Sequence, residues 1–134
     1  MKKRLAVALI AAAAGGAYWL DSGERPRIYE SGACRAVDGD TLDCAGRRVR
    51  LVNIDAPELH GRCPAENQMA ERAKLAAMIA LATSPIHVTP DGGKDRYGRL
   101  LARVVVDGRD LGETLIAQGL ARPYAGGPRR GWCG

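Results

Sequence analysis

Residues 49–58 place one arginine and two carboxylates within an otherwise apolar stretch. The Val, Leu and Ile content predicts a buried strand, which should end before Pro57 because proline cannot donate a ladder hydrogen bond. Buried charges are costly unless paired, so Arg50, Asp55 and Glu58 should pair with one another, with a metal or with a ligand. Arg50 and Asp55 are five residues apart and would face opposite sides of a regular strand. A bulge or a turn is therefore needed if they share a site.

A second acidic segment, Asp-Gly-Asp-Thr at 38–41, has the composition of a hairpin turn. The same Asp-Gly pair recurs at 107–108 without chemical neighbours, and Leu42 occupies a ligand position that rules out an EF-hand loop. Together with Asp55, this segment indicates a metal site, because two carboxylates from neighbouring strand ends and a nearby carbonyl form a hard oxygen site suited to Ca²⁺. We therefore expect a metal ion whose binding depends on Asp40 and Asp55.

A third charged segment, Lys-Asp-Arg-Tyr-Gly-Arg at 94–99, would by itself be assigned to a solvated loop. Arg99, however, is the first residue of the predicted strand 99–106, and Arg50 likewise lies in a predicted strand. Two arginines beside a carboxylate metal site are what phosphoryl transfer needs, because guanidinium groups hold a phosphate and stabilise the charge that develops on it. Glu58 would then be free to activate or orient water.

Four cysteines without a CxxC pair favour disulfide bonds over a zinc site. Cys34 and Cys44 are equidistant from Gly39, the centre of the predicted hairpin, and would face each other across it. Cys63 and Cys133 would then pair and hold the C-terminal tail against the central loop.

The length and charge of the chain limit its class. Its 134 residues suffice for one small domain, and the absence of phenylalanine requires an aliphatic core. The formal net charge is +5, but Lys2, Lys3 and Arg4 are three of the 20 basic residues, which leaves 17 basic against 15 acidic in the remainder. Binding to a polyanion must therefore come from clustered charge.

Residues 1–20 have the features of a targeting segment, with a basic start followed by sixteen uncharged residues. The uncharged run is long for a signal peptide core and short for a membrane-spanning helix, so a cleaved signal peptide and an uncleaved anchor both remain open. Either places the domain outside the cytoplasm, in the periplasm or secreted. Membrane contact is expected only through residues 5–20, if uncleaved, and the protein is expected to be a monomer. Residues 21–32 are interpreted as a linker and residues 33–134 as the folded domain.

The remaining pattern predicts five strands and two helices. The strands are 33–37, 41–44, 47–55, 86–89 and 99–106, and the helices are 64–82 and 111–118. Pro64 and Asp110 favour the two helix starts, and Met69 and Met78 are expected in the core. A helix between the third and fourth strands and a second C-terminal helix predict a mainly β, α+β fold, an OB-fold five-stranded barrel.

In order and spacing, four segments of the chain resemble the staphylococcal nuclease (thermonuclease) family. They lie within residues 33–124 and are 37–41 (VDGDT), 50–58 (RLVNIDAPE), 95–102 (DRYGRLLA) and 115–121 (LIAQGLA). Each segment alone is unspecific, whereas the four together in the family's order are specific. The resemblance implies an OB-fold barrel and a Ca²⁺-dependent phosphodiesterase that acts on DNA and RNA.

The resemblance also implies roles for individual residues at the reacting phosphate. The implied metal ligands are the carboxylates of Asp40 and Asp55 and the carbonyl oxygen of Ala56. Glu58 would be the general base. Arg50 and Arg99 would bind the scissile phosphate and stabilise the transition state.

Substrate contacts follow the family pattern less closely. Arg96 and Tyr97 fall where the family contacts a terminal nucleotide phosphate, and Tyr124 partly matches the tyrosines that stack a base. Ala56 stands where the family often has threonine, which is tolerable because the metal needs only a backbone oxygen there. The loop 59–63 is short and disulfide-tied, where the archetype has a longer basic loop.

Two other classes of function are alternatives to an exported nuclease. The first is a non-catalytic OB-fold protein that binds nucleic acid. Retention of both arginines and all three carboxylates argues against it, because degenerate members should lose one. The second is an envelope protein that binds Ca²⁺ only for stability, which would gain nothing from Arg50 and Arg99.

Overall fold

The computed structural model describes residues 24–134, which form a curled sheet packed against two helices. The strands are β1 (Arg27–Tyr29), β2 (Cys34–Asp38), β3 (Thr41–Cys44), β4 (Arg47–Leu51), β5 (Ile54–Asp55), β6 (Ile86–Lys94), β7 (Leu100–Val106), β8 (Arg109–Asp110) and β9 (Arg122–Pro123). The helices are α1 (Pro64–Leu81) and α2 (Leu111–Ala117). Within these residues the main sheet has the order β1-β6-β7-β4-β3-β2, with β8 on β7, and β5 pairs separately with β9. The mainly β, OB-type α+β prediction is confirmed.

The core lies between the inner face of the sheet and the helices, and it is aliphatic as expected. Alternate residues of β7 are buried, which is the period-two pattern of a strand with one face on the core. The inward residues of this strand are Leu100, Ala102, Val104 and Val106. Leu111 and Leu115 of α2 join the same core.

Parallel pairing between β4 and β7 is the feature of the sheet that positions the site. It places Val49 opposite Leu100 and Arg50 opposite Leu101. Arg99 immediately precedes β7. The two arginines, distant in sequence, therefore lie on neighbouring strands.

A turn at residues 52–53 splits the single strand predicted for 47–55 into β4 and β5. The guanidinium of Arg50 stabilises this turn, since its Nη1 donates to the carbonyl of Leu51 and, at 3.0 Å, to that of Ile54. Beyond the turn, Asp55 pairs with Arg122 of β9 rather than continuing in the main sheet. This is the irregularity that the five-residue spacing of Arg50 and Asp55 required.

The β2–β3 hairpin confirms the first predicted disulfide. Cys34 lies opposite Cys44, and the two are bonded with their Cα atoms 4.0 Å apart. The register shifts between Ala36 and Asp38, so the turn carries an irregularity next to its carboxylates.

Helix α1 begins with Pro64 in its first turn, as predicted, and lies against β2 with a face of small residues. Ala70, Ala73 and Ala77 are fully buried on that face. The expectation that Met78 lies in the core is wrong, since 45% of it is exposed, and Met69 is only partly buried. The alanine face allows close packing, which leaves the longer side chains at the margin.

Three boundaries differ from the sequence-based ones. β1 forms within the stretch interpreted as linker, because its backbone pairs with β6 from Arg27 opposite Val88 to Tyr29 opposite Ile86. β6 extends to Lys94 through an irregular register, and β9 forms within the tail. These strand pairings depend on a partner strand that is distant in sequence, so the residues of the strand itself show no pattern from which they could be predicted.

The predicted signal peptide or anchor, residues 1–20, lies outside the described residues. Among residues 24–134, no helix combines the length and the apolar character needed to cross a membrane.

Candidate active site

One open cavity of about 570 Å³ brings together charged residues from four separate segments of the chain. Its lining consists almost entirely of acidic and arginine side chains: Asp38, Asp40, Arg50, Glu58, Asp95, Arg96, Tyr97, Arg99 and Arg129. Most of the predicted catalytic and substrate residues are in this set. Asp55 and Ala56 line an adjoining cavity of about 360 Å³, which shares Glu58 with the first.

Arg50 is buried and held in one orientation by the backbone. Besides its bonds to the turn at 52–53, its Nη2 lies 3.6 Å from Oδ2 of Asp40. Both side chains are less than a tenth exposed. Because the carbonyls and Asp40 satisfy this buried cation, its position is set before any ligand arrives.

Arg99 reaches the same carboxylate from the neighbouring strand. Its Nη1 donates to Oγ1 of Thr41 at 3.1 Å, and that hydroxyl donates to Oδ1 of Asp40 at 3.1 Å. Its Nε donates to Oδ2 of Asp95 at 2.7 Å. The predicted pair Arg50 and Arg99 therefore converge on Asp40, one directly and one through a hydroxyl.

Asp95 orients Arg99 as well as the loop before it. Its Oδ1 accepts backbone hydrogen bonds from Tyr97 and Arg99, each at 2.9 Å. Burial alone would raise the pKa of Asp95, but these hydrogen bonds and the Arg99 guanidinium outweigh it and lower the pKa. Asp95 is thus ionised at neutral pH and supports Arg99 as a fixed ion pair.

Negative charge is crowded on the carboxylate side of the cavity. Burial, and then the charge of Asp40 and hydrogen bonding with it, raise the pKa of Asp38 to about 7. Burial and the charges of Asp40 and Asp55 likewise raise the pKa of Glu58, although Arg129 opposes this. Burial is the larger cause of both raised pKa values, and repulsion between the ionised carboxylates adds to it.

This crowding fits a divalent cation. Carboxylate oxygens are hard ligands of the type that Ca²⁺ and Mg²⁺ take, and a cation would offset the negative charge that Asp38, Asp40 and Glu58 bring to the cavity. Within the described part of the chain, however, the oxygens of Asp40, Asp55 and Glu58 do not lie close enough together to form a preformed ligand cluster. The predicted ligands Asp40 and Asp55 are both buried, and Ala56 is buried beside them.

Close packing brings together the segments that carry the predicted metal ligands. A Cβ added at Gly39 would lie 2.8 Å from that of Ala73 on α1 and 3.0 Å from that of Ala56. Real Cβ atoms do not approach this closely, so glycine is what lets the turn 38–41 contact both α1 and the loop after β5.

Glu58 is held by its backbone while its side chain stays free to act. The buried carboxylate of Glu66 on α1 accepts from the backbone N–H groups of Glu58 and Arg62, each at 3.0 Å. These two hydrogen bonds lower the pKa of Glu66, the one from Arg62 most. The side chain of Glu58 remains 55% exposed at the cavity.

The Cys63–Cys133 disulfide, as predicted, joins the residue before α1 to the tail, with Cα atoms 6.1 Å apart. Both sulfurs lie near the Glu66 carboxylate. Because both are consumed in the disulfide, they offer no thiolate to a metal.

Arg96 and Tyr97 form an exposed pair at the rim of the cavity. Nη2 of Arg96 donates to the Tyr97 hydroxyl at 3.0 Å, and the guanidinium groups of Arg96 and Arg99 lie 5.1 and 5.4 Å from the ring centroid. The ring is 69% exposed. An exposed ring backed by cations is suited to a nucleotide.

Tyr124 lies on a third cavity of about 400 Å³, which it shares with Arg50, Arg99 and Arg129. Its backbone N–H donates to the carbonyl of Asn53 at 3.0 Å, so the turn at 52–53 also positions this tyrosine. The three predicted substrate residues therefore border connected parts of one charged surface.

Sequence reasoning missed Asp38, Glu66 and Arg129. Asp38 had no separate signal, because in the sequence it is part of an Asp-Gly hairpin turn. Glu66 lies in the first turn of α1, where the helix dipole alone favours an acidic residue, so its sequence position does not indicate a role at the site. Arg129 had no signal, because it lies in an irregular tail and only the tertiary structure brings it to the cavity.

Comparison with known proteins places most of the chain in one family. The family model described as staphylococcal nuclease homologue matches residues 48–130, which is more than half of the chain. The matched region contains most of the cavity residues, including Arg50, Glu58, Arg99 and Arg129.

Three curated bacterial relatives illustrate the similarity. Endonuclease YncB of Bacillus subtilis is 36% identical over 94 residues, which are 66% of this chain and 44% of that protein. The SPbeta prophage-derived endonuclease YokF of the same species is 37% identical over 94 residues, covering 66% and 32%. The succinoglycan biosynthesis protein ExoI of Rhizobium meliloti is 34% identical over 95 residues, covering 67% and 50%. The matched region spans between a third and a half of these relatives.

Proposed function

Since this chain belongs to the family of staphylococcal nuclease homologues, we propose that it is a Ca²⁺-dependent nuclease that hydrolyses phosphodiester bonds in DNA, RNA or both. The observation that carries the proposal is the convergence of Arg50 and Arg99 on Asp40, in the cavity that also holds Glu58. The endonuclease names of YncB and YokF support the same reaction class.

The side chains of Asp40 and Asp55 and the carbonyl of Ala56 would hold the metal ion. When bound, such an ion polarises a phosphoryl oxygen and neutralises charge on the phosphate. Asp38 lines the same cavity as Asp40, and its pKa of about 7 leaves it only partly ionised at neutral pH, so a bound cation would favour its charged form.

Arg50 and Arg99 bind the scissile phosphate and stabilise the charge that develops as the P–O bond breaks. Both are oriented beforehand, Arg50 by backbone carbonyls and Arg99 by Asp95. Such preorganised donors are usually the largest single contribution to catalysis.

Glu58 positions and deprotonates the attacking water. Its side chain is exposed to the cavity while its backbone is tied to Glu66. Its raised pKa makes it a stronger base than an ordinary glutamate, which suits a proton acceptor near neutral pH.

Arg96, Tyr97 and Tyr124 contact the substrate beyond the scissile phosphate. Arg96 supplies charge for a neighbouring phosphate, and the exposed ring of Tyr97 supplies a stacking surface.

The protein would act outside the cytoplasm, in the periplasm or secreted, as a monomer. The composition of residues 1–20 supports export, and so do the two disulfides, which persist in oxidising compartments. Membrane contact would be limited to residues 5–20, and only if that segment is not removed.

The test is digestion of plasmid DNA and of RNA by the purified protein with Ca²⁺, with Mg²⁺ or with EDTA. We expect cleavage with Ca²⁺ and none with EDTA, and loss of cleavage in Asp40→Asn. Binding of nucleic acid without cleavage under any metal condition would refute the enzyme and leave the alternative, a non-catalytic OB-fold binding protein.

A further inference from the structure

The C-terminal tail, residues 125–134, delivers an arginine to the cavity. Arg129 borders all three of the cavities that surround the site. Its Nε lies 3.7 Å from Oδ1 of Asp55, and its Nη1 lies 4.0 Å from Oε2 of Glu58. It is therefore the arginine that faces Asp55 and Glu58, whereas Arg50 pairs with Asp40 and Arg99 contacts Thr41 and Asp95.

The tail is irregular in structure, yet it is held on both sides of Arg129. On one side the Tyr124 hydroxyl donates to the carbonyl of Gly127 at 2.6 Å. On the other, the Arg122 guanidinium donates to the carbonyl of Arg130 at 3.2 Å and lies 3.7 Å from the centroid of the Trp132 ring. These ties keep Arg129 in place although it lies in no helix or strand.

A covalent tie completes this arrangement. The Cys63–Cys133 disulfide fixes the tail to Cys63, the residue that precedes α1. Cys133 lies four positions after Arg129. Glu66, which positions Glu58, lies on the same helix. The disulfide thus connects the segment that carries the proposed base to the segment that carries Arg129.

The donors of Arg129 are poorly used by the contacts that it makes. Distances of 3.7 and 4.0 Å are too long for charge-assisted hydrogen bonds, which are shorter than 3 Å. The guanidinium lies 5.3 Å from the centroid of the Tyr124 ring and is also hydrogen-bonded to the Tyr124 side chain, and the Arg129 side chain is 44% exposed. A half-exposed, oriented guanidinium that keeps most of its five donors for a ligand is suited to a bidentate contact with a phosphate.

We propose that Arg129 binds a phosphate of the nucleic acid substrate, and that the Cys63–Cys133 disulfide positions it to do so. This inference rests on the proposed nuclease function. The positive charge of Arg129 also lies beside Asp55 and Glu58. In the absence of substrate, Arg129 therefore disfavours a cation bound to those carboxylates. Removing it should therefore weaken substrate binding and strengthen metal binding, two changes that a merely structural residue would not produce together.

The experiment compares Arg129→Ala with Arg130→Ala in the full chain with both disulfides intact. Arg130 is the matched control, because it is the adjacent, exposed arginine of the same tail. Isothermal titration with Ca²⁺ alone measures metal affinity without catalysis. Steady-state cleavage of single-stranded DNA at saturating Ca²⁺ and several salt concentrations gives kcat and KM.

For Arg129→Ala we expect KM to rise roughly fivefold, as for a half-exposed charged hydrogen bond. The change in kcat should be smaller than the change in KM, and it would come from the loss of a charge that lowers the pKa of Glu58. The slope of log KM against log salt concentration should fall by about 0.7, the loss of one phosphate contact on a single strand. The Kd for Ca²⁺ should fall roughly threefold, in line with a partly screened charge. Arg130→Ala should change none of these values by more than about twofold.

The disulfide is tested with Cys63→Ser combined with Cys133→Ser, checked for folding by circular dichroism. Its KM should rise as in Arg129→Ala, and adding Arg129→Ala should raise KM little further, because both changes remove one contact. Full additivity would overturn the positioning role.

The outcomes separate this inference from the nuclease proposal. If the wild type cleaves DNA while Arg129→Ala keeps its KM and Ca²⁺ affinity, the inference fails and the nuclease stands. Equal effects of Arg129→Ala and Arg130→Ala would also overturn it, since the tail would then contribute only diffuse charge. A wild type that cleaves nothing overturns both.

Discussion

Replacement of Arg99 by lysine is the sharpest test of the proposed mechanism. The change keeps a positive charge at the start of β7 but replaces a planar fork with a point charge. Of the five N–H donors of a guanidinium, Arg99 uses one on Asp95 and one on Thr41. Three donors therefore remain for a phosphate.

The ammonium group of a lysine cannot reproduce that distribution. It has three donors in total, so contacts with Asp95 and Thr41 would leave one, and no bidentate contact with a phosphate could form. Loss of one preorganised donor to a developing oxyanion typically costs about 10²–10³ in kcat, or about 2.7–4 kcal/mol. We expect Arg99→Lys to lower kcat at least about a hundredfold, with Ca²⁺ affinity nearly intact.

The assay is kcat on single-stranded DNA at saturating Ca²⁺, with folding checked by circular dichroism. Arg103→Lys is the matched control, because Arg103 lies on β7, four residues after Arg99, but its half-exposed side chain forms ion pairs with Asp91 at 3.2 Å and Asp110 at 3.9 Å. That variant should keep near-native kcat. A folded Arg99→Lys protein with kcat within a few-fold of the wild type would refute the role assigned to Arg99.

Three further predictions address the carboxylates. Glu58→Gln should lower kcat at least about a hundredfold while metal binding stays nearly intact, and near-native kcat in the folded variant would show that Glu58 is not the base. Asp40→Asn and Asp55→Asn should each weaken Ca²⁺ binding in calorimetry, because ligand charge sets affinity, and unchanged affinity in both would exclude them as ligands. Glu66→Gln should lower the free energy of unfolding at pH 7 by about 1–3 kcal/mol, because its amide NH₂ would face a backbone N–H. Because the folded-state pKa of Glu66 lies below its ordinary value, the wild-type advantage should be full above that ordinary value and vanish as pH falls through the lowered pKa. A difference in denaturant unfolding that is equal at pH 7 and pH 3 would contradict this.

Several features of this protein depend on local interactions and could therefore be predicted from the sequence. Pro64 starts α1 through its own backbone, and the Asp110 side chain caps α2 by accepting from the backbone N–H of Glu113, so both roles are local and follow from sequence. The Cys34–Cys44 pairing followed from the symmetry of one hairpin. The four ordered segments likewise identified the family, because members of one family share a fold and therefore keep equivalent side chains in the same order along the chain.

Other features were decided only by contacts between distant segments. The turn at 52–53 that lets Arg50 and Asp55 share a site is stabilised by the side chain of Arg50 and by pairing of β5 with β9, which no local pattern announces. The convergence of Arg50 and Arg99 on Asp40 needs the parallel register of β4 and β7. Arg129 reaches the carboxylates because its tail is tied by hydrogen bonds, ring contacts and a disulfide to residues far away in sequence. Spacing along a chain constrains neighbours one or two turns apart, whereas the arrangement of charges in this cavity depends on which strands pair and where the tail is anchored.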